Sequence, residues 1–177
     1  MEAHLALGAL LISMGAAAID VKTAKVPNWL TSGGIIAGLL VRALLAGWHG
    51  MAAGLLGALL GGGVLFLPFL ARGIGGGDVK LMAAVGAWAG MEHALVLILA
   101  TAIAGGVLAA GYIILRQRAV DMAWRVANVI RFHLVSGIEP HPALHAQTSE
   151  LMRFPYSLAI AAGALFVFLS IAAPVWR

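Results

Sequence analysis

Long apolar runs separated by short polar breaks set the plan of this chain. Runs at about 3–19, 30–47, 51–71, 79–90, 94–115 and 155–175 carry almost no charge, and about 20 apolar residues is what a helix needs to cross a bilayer core of about 30 Å. The run at 79–90 is short, covering only about 18 Å as a helix. Asp78, which opens it, is therefore expected to sit below the membrane surface. The one long polar connection, 116–153, places Arg118, Asp121, Arg125, Asn128 and Arg131 at helical spacing, with Val120, Trp124, Ala127 and Ile130 toward the other side. That pattern predicts a cytoplasmic amphipathic helix, either lying in the membrane interface or extending the fifth span; Pro140 and Pro142 close it. The expected architecture is an all-α, polytopic bundle of about six transmembrane helices forming one domain over 1–177.

Composition agrees with this plan. The chain is 62% hydrophobic and 10% charged, with a mean hydropathy of +1.01, far from the quarter charged of soluble domains. A net charge of +4 in a soluble protein would suggest nucleic acid; here the excess of cations in loops on one side of the bilayer explains it, and no nucleic-acid partner is expected. With the N-terminus outside, Lys22, Lys25, Arg72, Lys80, Arg116, Arg118, Arg125, Arg131 and Arg153 are all cytoplasmic. Trp48, Trp88 and Trp176 then fall at the outer interface and Trp29 at the inner. Arg42, toward the end of the second run, is expected to snorkel to the interface. Glu2 and His4, rather than basic residues, precede the first run, which reads as a retained span and not a cleaved signal. Cysteine is absent, which excludes disulfides and thiolate metal sites. His141 and His145 stand four apart but beside two prolines, so no metal or other cofactor is expected.

Candidate chemistry lies in two of the polar breaks. Only seven acidic residues occur, and an acid at the edge of a membrane span is a functional candidate because its burial there is costly. Gly73-Ile74-Gly75-Gly76-Gly77-Asp78-Val79-Lys80 places one such acid on a permissive backbone. Asp20-Val21-Lys22, followed by Val26-Pro27-Asn28, places another at the end of the first run. The charge count brings both to the cytoplasmic side. Two acids sharing a site repel, so the pair holds a single proton and titrates as a unit. One member can then take a proton from water while the other polarises a scissile carbonyl. Lys22 and Lys80 either orient these carboxylates or simply follow the charge rule. Small residues four apart, Gly34 with Gly38, Gly57 with Gly61 and Gly86 with Gly90, are expected to let helices pack closely.

These motifs resemble those of the type IV prepilin peptidases, the GxGD-type intramembrane aspartyl proteases, and in particular their short branch associated with Flp/Tad pilus assembly. The match rests on Asp20 with Lys22, Pro27 and Asn28; on Gly75-Gly76-Gly77-Asp78-Val79-Lys80; and on Phe154-Pro155-Tyr156 opening the last run. The resemblance implies a multi-pass enzyme of the bacterial inner membrane that cuts the short basic leader from pilin-like precursors at the cytoplasmic face. Asp20 and Asp78 would be catalytic, with Gly75 and Gly77 positioning the second, and the pilin precursor and the pilus-assembly machinery would be its partners. Longer members also N-methylate the new amino terminus and carry an added cysteine-bearing domain. This chain passes from Met1 straight into an apolar run and lacks cysteine, so peptidase activity is expected and methyltransferase activity is not. The competing readings are a small proton- or ion-coupled transporter or channel subunit and a non-catalytic membrane scaffold.

Overall fold

The computed structural model describes residues 2–70, 74–115 and 156–172. They form four helices, α1 (Ala3–Thr23), α2 (Asn28–Leu70), α3 (Gly76–Leu115) and α4 (Tyr156–Ala172), with no strand among the described residues. Ala3–Thr23, Asn28–Leu70 and Gly76–Gly111 are long and apolar enough to cross a membrane. The protein is an all-α membrane protein. The amphipathic segment expected at 116–153, Pro155, His141 and His145 lie outside the described residues.

Two of the helices are folded back on themselves. α2 breaks at Ala46 and Gly47, whose φ is +59°. A Cβ placed on Gly54 would stand 3.1 Å from Leu39 Cδ2, although an unbroken helix would separate those residues by about 22 Å. Limbs 28–45 and 48–70 therefore run side by side. α3 breaks at Gly90 (φ +72°, ψ +170°), a left-handed conformation that glycine adopts without the steric cost of a Cβ. Its second limb also returns: Tyr156 touches the position above Gly105 and lies within electrostatic reach of Asp78, about 40 Å away along a straight helix.

The limbs are held together along a seam of small residues. Cβ atoms on Gly57 and Gly86 would each meet the other's backbone, and one on Gly61 would stand 2.6 Å from Met82 O. Without side chains the backbones of α2 and α3 come into direct contact, which compensates for the missing hydrophobic drive between helices in lipid. Leu81, Met82, Val85, Leu97 and Ile160 are fully buried beside the seam. Gly57, Gly61 and Gly86 thus do what was expected of them.

One expectation fails at the far end of this packing. Arg42 does not snorkel: it is buried, its Nε donates to Trp88 O at 3.2 Å and its Nη2 to Ala89 O at 2.8 Å. These are carbonyls at the end of the first limb of α3, where the break at Gly90 removes the next turn's N–H donors. The sequence shows an arginine near a span end but not the broken helix that it caps. Trp88 is held by contacts within the bundle as well. It packs over Gly8 and Gly38 and donates Nε1–H to Gly34 O at 2.9 Å, because those glycines leave a slot the width of an indole.

Candidate active site

α1 continues one turn past its apolar run before it stops. The single hydroxyl proton of Thr23 is shared between Ile19 O, 2.9 Å from Oγ1, and Lys25 O, 3.1 Å away, while Ala24 takes a left-handed conformation and donates its N–H to Asp20 O at 2.7 Å. This closure gives the Asp20 carbonyl, one of the orphan acceptors of the helix end, a donor. It also puts Asp20 inside the last turn, half-buried, rather than in a loop beyond the span. Pro27 follows, and its carbonyl accepts from Leu30 and Thr31 N–H to start α2.

The second acid sits at a helix end of opposite polarity. Asp78 lies in the first turn of α3, its N–H donating to Gly75 O at 3.1 Å, and its carboxylate accepts from the Gly75 backbone N–H in return. This reciprocal pair is the carboxylate half of a capping box. A side chain on Gly75 would stand 3.3 Å from Asp78 Oδ2, one on Gly77 3.1 Å from Val26 Cβ, and one on Gly76 3.2 Å from Phe69 Cε2. Each motif glycine thus clears a different neighbour: the carboxylate, the loop after α1, and the end of α2.

These contacts join the two motifs. Gly77 lets the start of α3 lie against Val26, and Lys80 Nζ donates to Asn28 Oδ1 at 2.9 Å. Asp78 lies within electrostatic reach of Asp20, 58 residues earlier in the chain. From α4, Ser157 Oγ donates to Asp20 Oδ2 at 2.6 Å, and Tyr156 lies within reach of the Asp78 charge. Lys22, also in the last turn of α1, is exposed and stands apart from this network. No third His, Asp or Glu side chain joins the two acids among the described residues.

Sequence reading missed Ser157. A serine in the first turn of an apolar helix reads as a cap for its own helix, and nothing in its spacing points to an acid 137 residues away. Its position directly after Tyr156 in the last-run motif was the available signal.

A polytopic helical membrane protein with two carboxylates brought together from the end of one helix and the start of another is the class defined by this fold and site. The chain belongs to the type IV leader peptidase family, whose model matches residues 5–110 and so includes both acids. It is similar to the prepilin leader peptidase/N-methyltransferase of Burkholderia pseudomallei strain K96243, 40% identical over 106 residues, covering 56% of this chain and 33% of that protein. The proteins of the same name from Aeromonas salmonicida strain A449 and Aeromonas hydrophila are each 33% identical over 106 residues, covering 56% of this chain and 36% of theirs. The chain thus spans about a third of the length of these curated relatives. No solved structure matches it.

Proposed function

We propose that this protein is an aspartic endopeptidase of the bacterial inner membrane that removes the short basic leader from prepilin-like precursors at the cytoplasmic face. Asp20 and Asp78 activate one water between them. The observation that carries this reading is the convergence of the two acids: remote in sequence, each is fixed at a helix end, and the Gly77–Val26 contact, the Lys80–Asn28 bond and the Ser157–Asp20 bond draw those ends together. The relatives' name supplies the substrate class. It joins a leader peptidase to an N-methyltransferase, and the proposal takes the peptidase half because the matched residues contain both acids.

In this mechanism the unprotonated carboxylate removes a proton from the water as it attacks the scissile carbonyl carbon. The protonated partner donates to the carbonyl oxygen, giving a neutral tetrahedral intermediate. Collapse breaks the C–N bond as the proton taken from water passes to the leaving amine nitrogen, and one hydroxyl of the intermediate returns its proton to the partner carboxylate, leaving the free acid and the dyad as it began. Gly75, Gly76 and Gly77 allow the Asp78 turn to approach its neighbours, while Lys80, Asn28 and Pro27 set the spacing between the two motifs. Six crossings, made by α1, the two limbs of α2, the two limbs of α3 and α4, with the N-terminus outside, place both acids at the inner leaflet. The whole chain then forms one peptidase domain that works in the bilayer alongside the pilus-assembly machinery.

The test is co-expression with a pilin-like precursor bearing a basic leader that ends in glycine before a hydrophobic stem, following leader removal. Asp20→Asn and Asp78→Asn should each lower the rate by at least about 100-fold, the usual scale of a lost acid or base. Undiminished cleavage by either variant overturns the proposal. Ion flux without cleavage would instead identify a transporter, and normal assembly with Asp20→Asn a scaffold.

A further inference from the structure

The two acids are not equally well supported by their own helices. Asp78 occupies the first turn of α3, where the dipole favours negative charge, and it is held by the Gly75 N–H. Asp20 occupies the last turn of α1, where the dipole opposes negative charge and free N–H groups are absent. Its neighbours in sequence do not make up the difference. The Thr23 hydroxyl is turned to Ile19 O and Lys25 O, the Ala24 N–H goes to the Asp20 backbone carbonyl, and Lys22 is exposed.

The donor comes instead from the other end of the chain. Ser157 is 0% exposed, and its hydroxyl proton goes to Asp20 Oδ2 at 2.6 Å, the short distance of a hydrogen bond to a charged acceptor. A first-turn serine whose proton crosses to another helix is not acting as the cap of its own. The start of α4 is also well placed to hold it. Tyr156 and Ala159 pack on Gly105, and Gly163 packs on Thr101, so the second limb of α3 fixes where Ser157 stands. Among the described residues no other side chain donates to the Asp20 carboxylate.

We infer that Ser157 is a positioning residue for the reaction proposed above: by holding Oδ2 it fixes the rotamer of Asp20, so that Oδ1 meets the water shared with Asp78. The inference rests on that reading of the two acids. A residue that only filled the α1–α4 interface would affect folding and substrate binding; one that aims a catalytic oxygen affects turnover.

The experiment uses the purified full chain in lipid nanodiscs with the glycine-ended precursor described above, comparing wild type, Ser157→Ala and Ser157→Thr. Ser157→Ala should lower kcat by about 10- to 100-fold, the scale of one hydrogen bond to a charged group, with KM within about twofold. Ser157→Thr, which keeps the hydroxyl, should recover most of the loss. Wild-type kcat in Ser157→Ala overturns the inference. So does an equal loss in both variants accompanied by a lower melting temperature, which is the mark of a packing role. Absence of cleavage by wild type overturns the reading of the two acids, and the inference with it; cleavage that requires Asp20 and Asp78 but ignores Ser157 overturns the inference alone.

Discussion

Lys80, two residues past Asp78, reaches across to Asn28, the first residue of α2, and donates its ammonium to the Asn28 side-chain oxygen at 2.9 Å. The bond ties the start of α3 to the segment that follows α1, so it spans the two polar breaks carrying the acids. Its neighbour in this role is the contact between Gly77 and Val26. One contact is polar and exposed, the other apolar and tight, and together they set the spacing between the acid-bearing turns.

Because the Lys80–Asn28 bond is exposed, breaking it should cost little stability, below about 1 kcal/mol, while loosening the register of the two motifs. Lys80→Met and Asn28→Ala should each reduce leader cleavage several-fold. The double variant should be no slower than the slower single one, since both remove the same bond. Additive losses in the double-mutant cycle would mean that the two residues act separately.

Alanine at Gly75 or Gly77 should lower turnover more than stability. At Gly75 the new methyl would press on Asp78 Oδ2 and turn the carboxylate; at Gly77 it would press on Val26 and lift the start of α3 from the loop after α1. Displacements of this size at a reacting group are costly in rate, and a loss of at least about tenfold is expected for each. Val26→Gly in the Gly77→Ala background should recover part of it by restoring space. Cleavage at wild-type rate by Gly77→Ala would show that the close approach has no role in catalysis.

Much of this was legible in the sequence because lipid imposes strong rules. Apolar runs marked the helices, since a backbone in lipid must satisfy its own hydrogen bonds. The folding back of α2 and α3 falls at Gly47 and Gly90, between runs that were already separated by pattern. Asp20 and Asp78 stood out because acids are scarce in such a chain. What could not be read were relationships that cross the bundle. Ser157 carries no signal of its own in the sequence and Arg42 reads as an interfacial cation, because each meets its partner only after helices distant in sequence have packed. The end of α1 also lies beyond its apolar run: hydrophobicity stops at Ile19, but the helix continues until Thr23 and Ala24 close it.

Alanine at Gly57 or Gly86 tests the seam. Each Cβ would enter the other helix's backbone rather than a movable side chain, so α2 and α3 must separate to admit it. Overpacking of this kind costs about 1–3 kcal/mol, and both variants should melt at lower temperature in detergent. A second alanine should cost less than the first, because the first has already parted the helices. Unchanged melting would mean that the seam is looser than the contact implies.

Arg42 offers the sharpest contrast between stability and chemistry. Its guanidinium serves two carbonyls at once, Trp88 O and Ala89 O, a task suited to a planar fork and not to the single ammonium of lysine. Arg42→Met keeps the length and apolar stem of the side chain but leaves both acceptors without that donor, at a cost of about 1–3 kcal/mol for a buried group left unpaired. Arg42→Lys should recover only part of this. Ala89 lies about 17 Å from Asp78 along the same limb of α3, so the protein that remains folded should cleave with normal kcat and KM. Arg42→Met with wild-type melting behaviour would restore the snorkelling expectation. A specific loss of kcat at full stability would mean instead that the break at Gly90 is coupled to the acids at the opposite end of the limb.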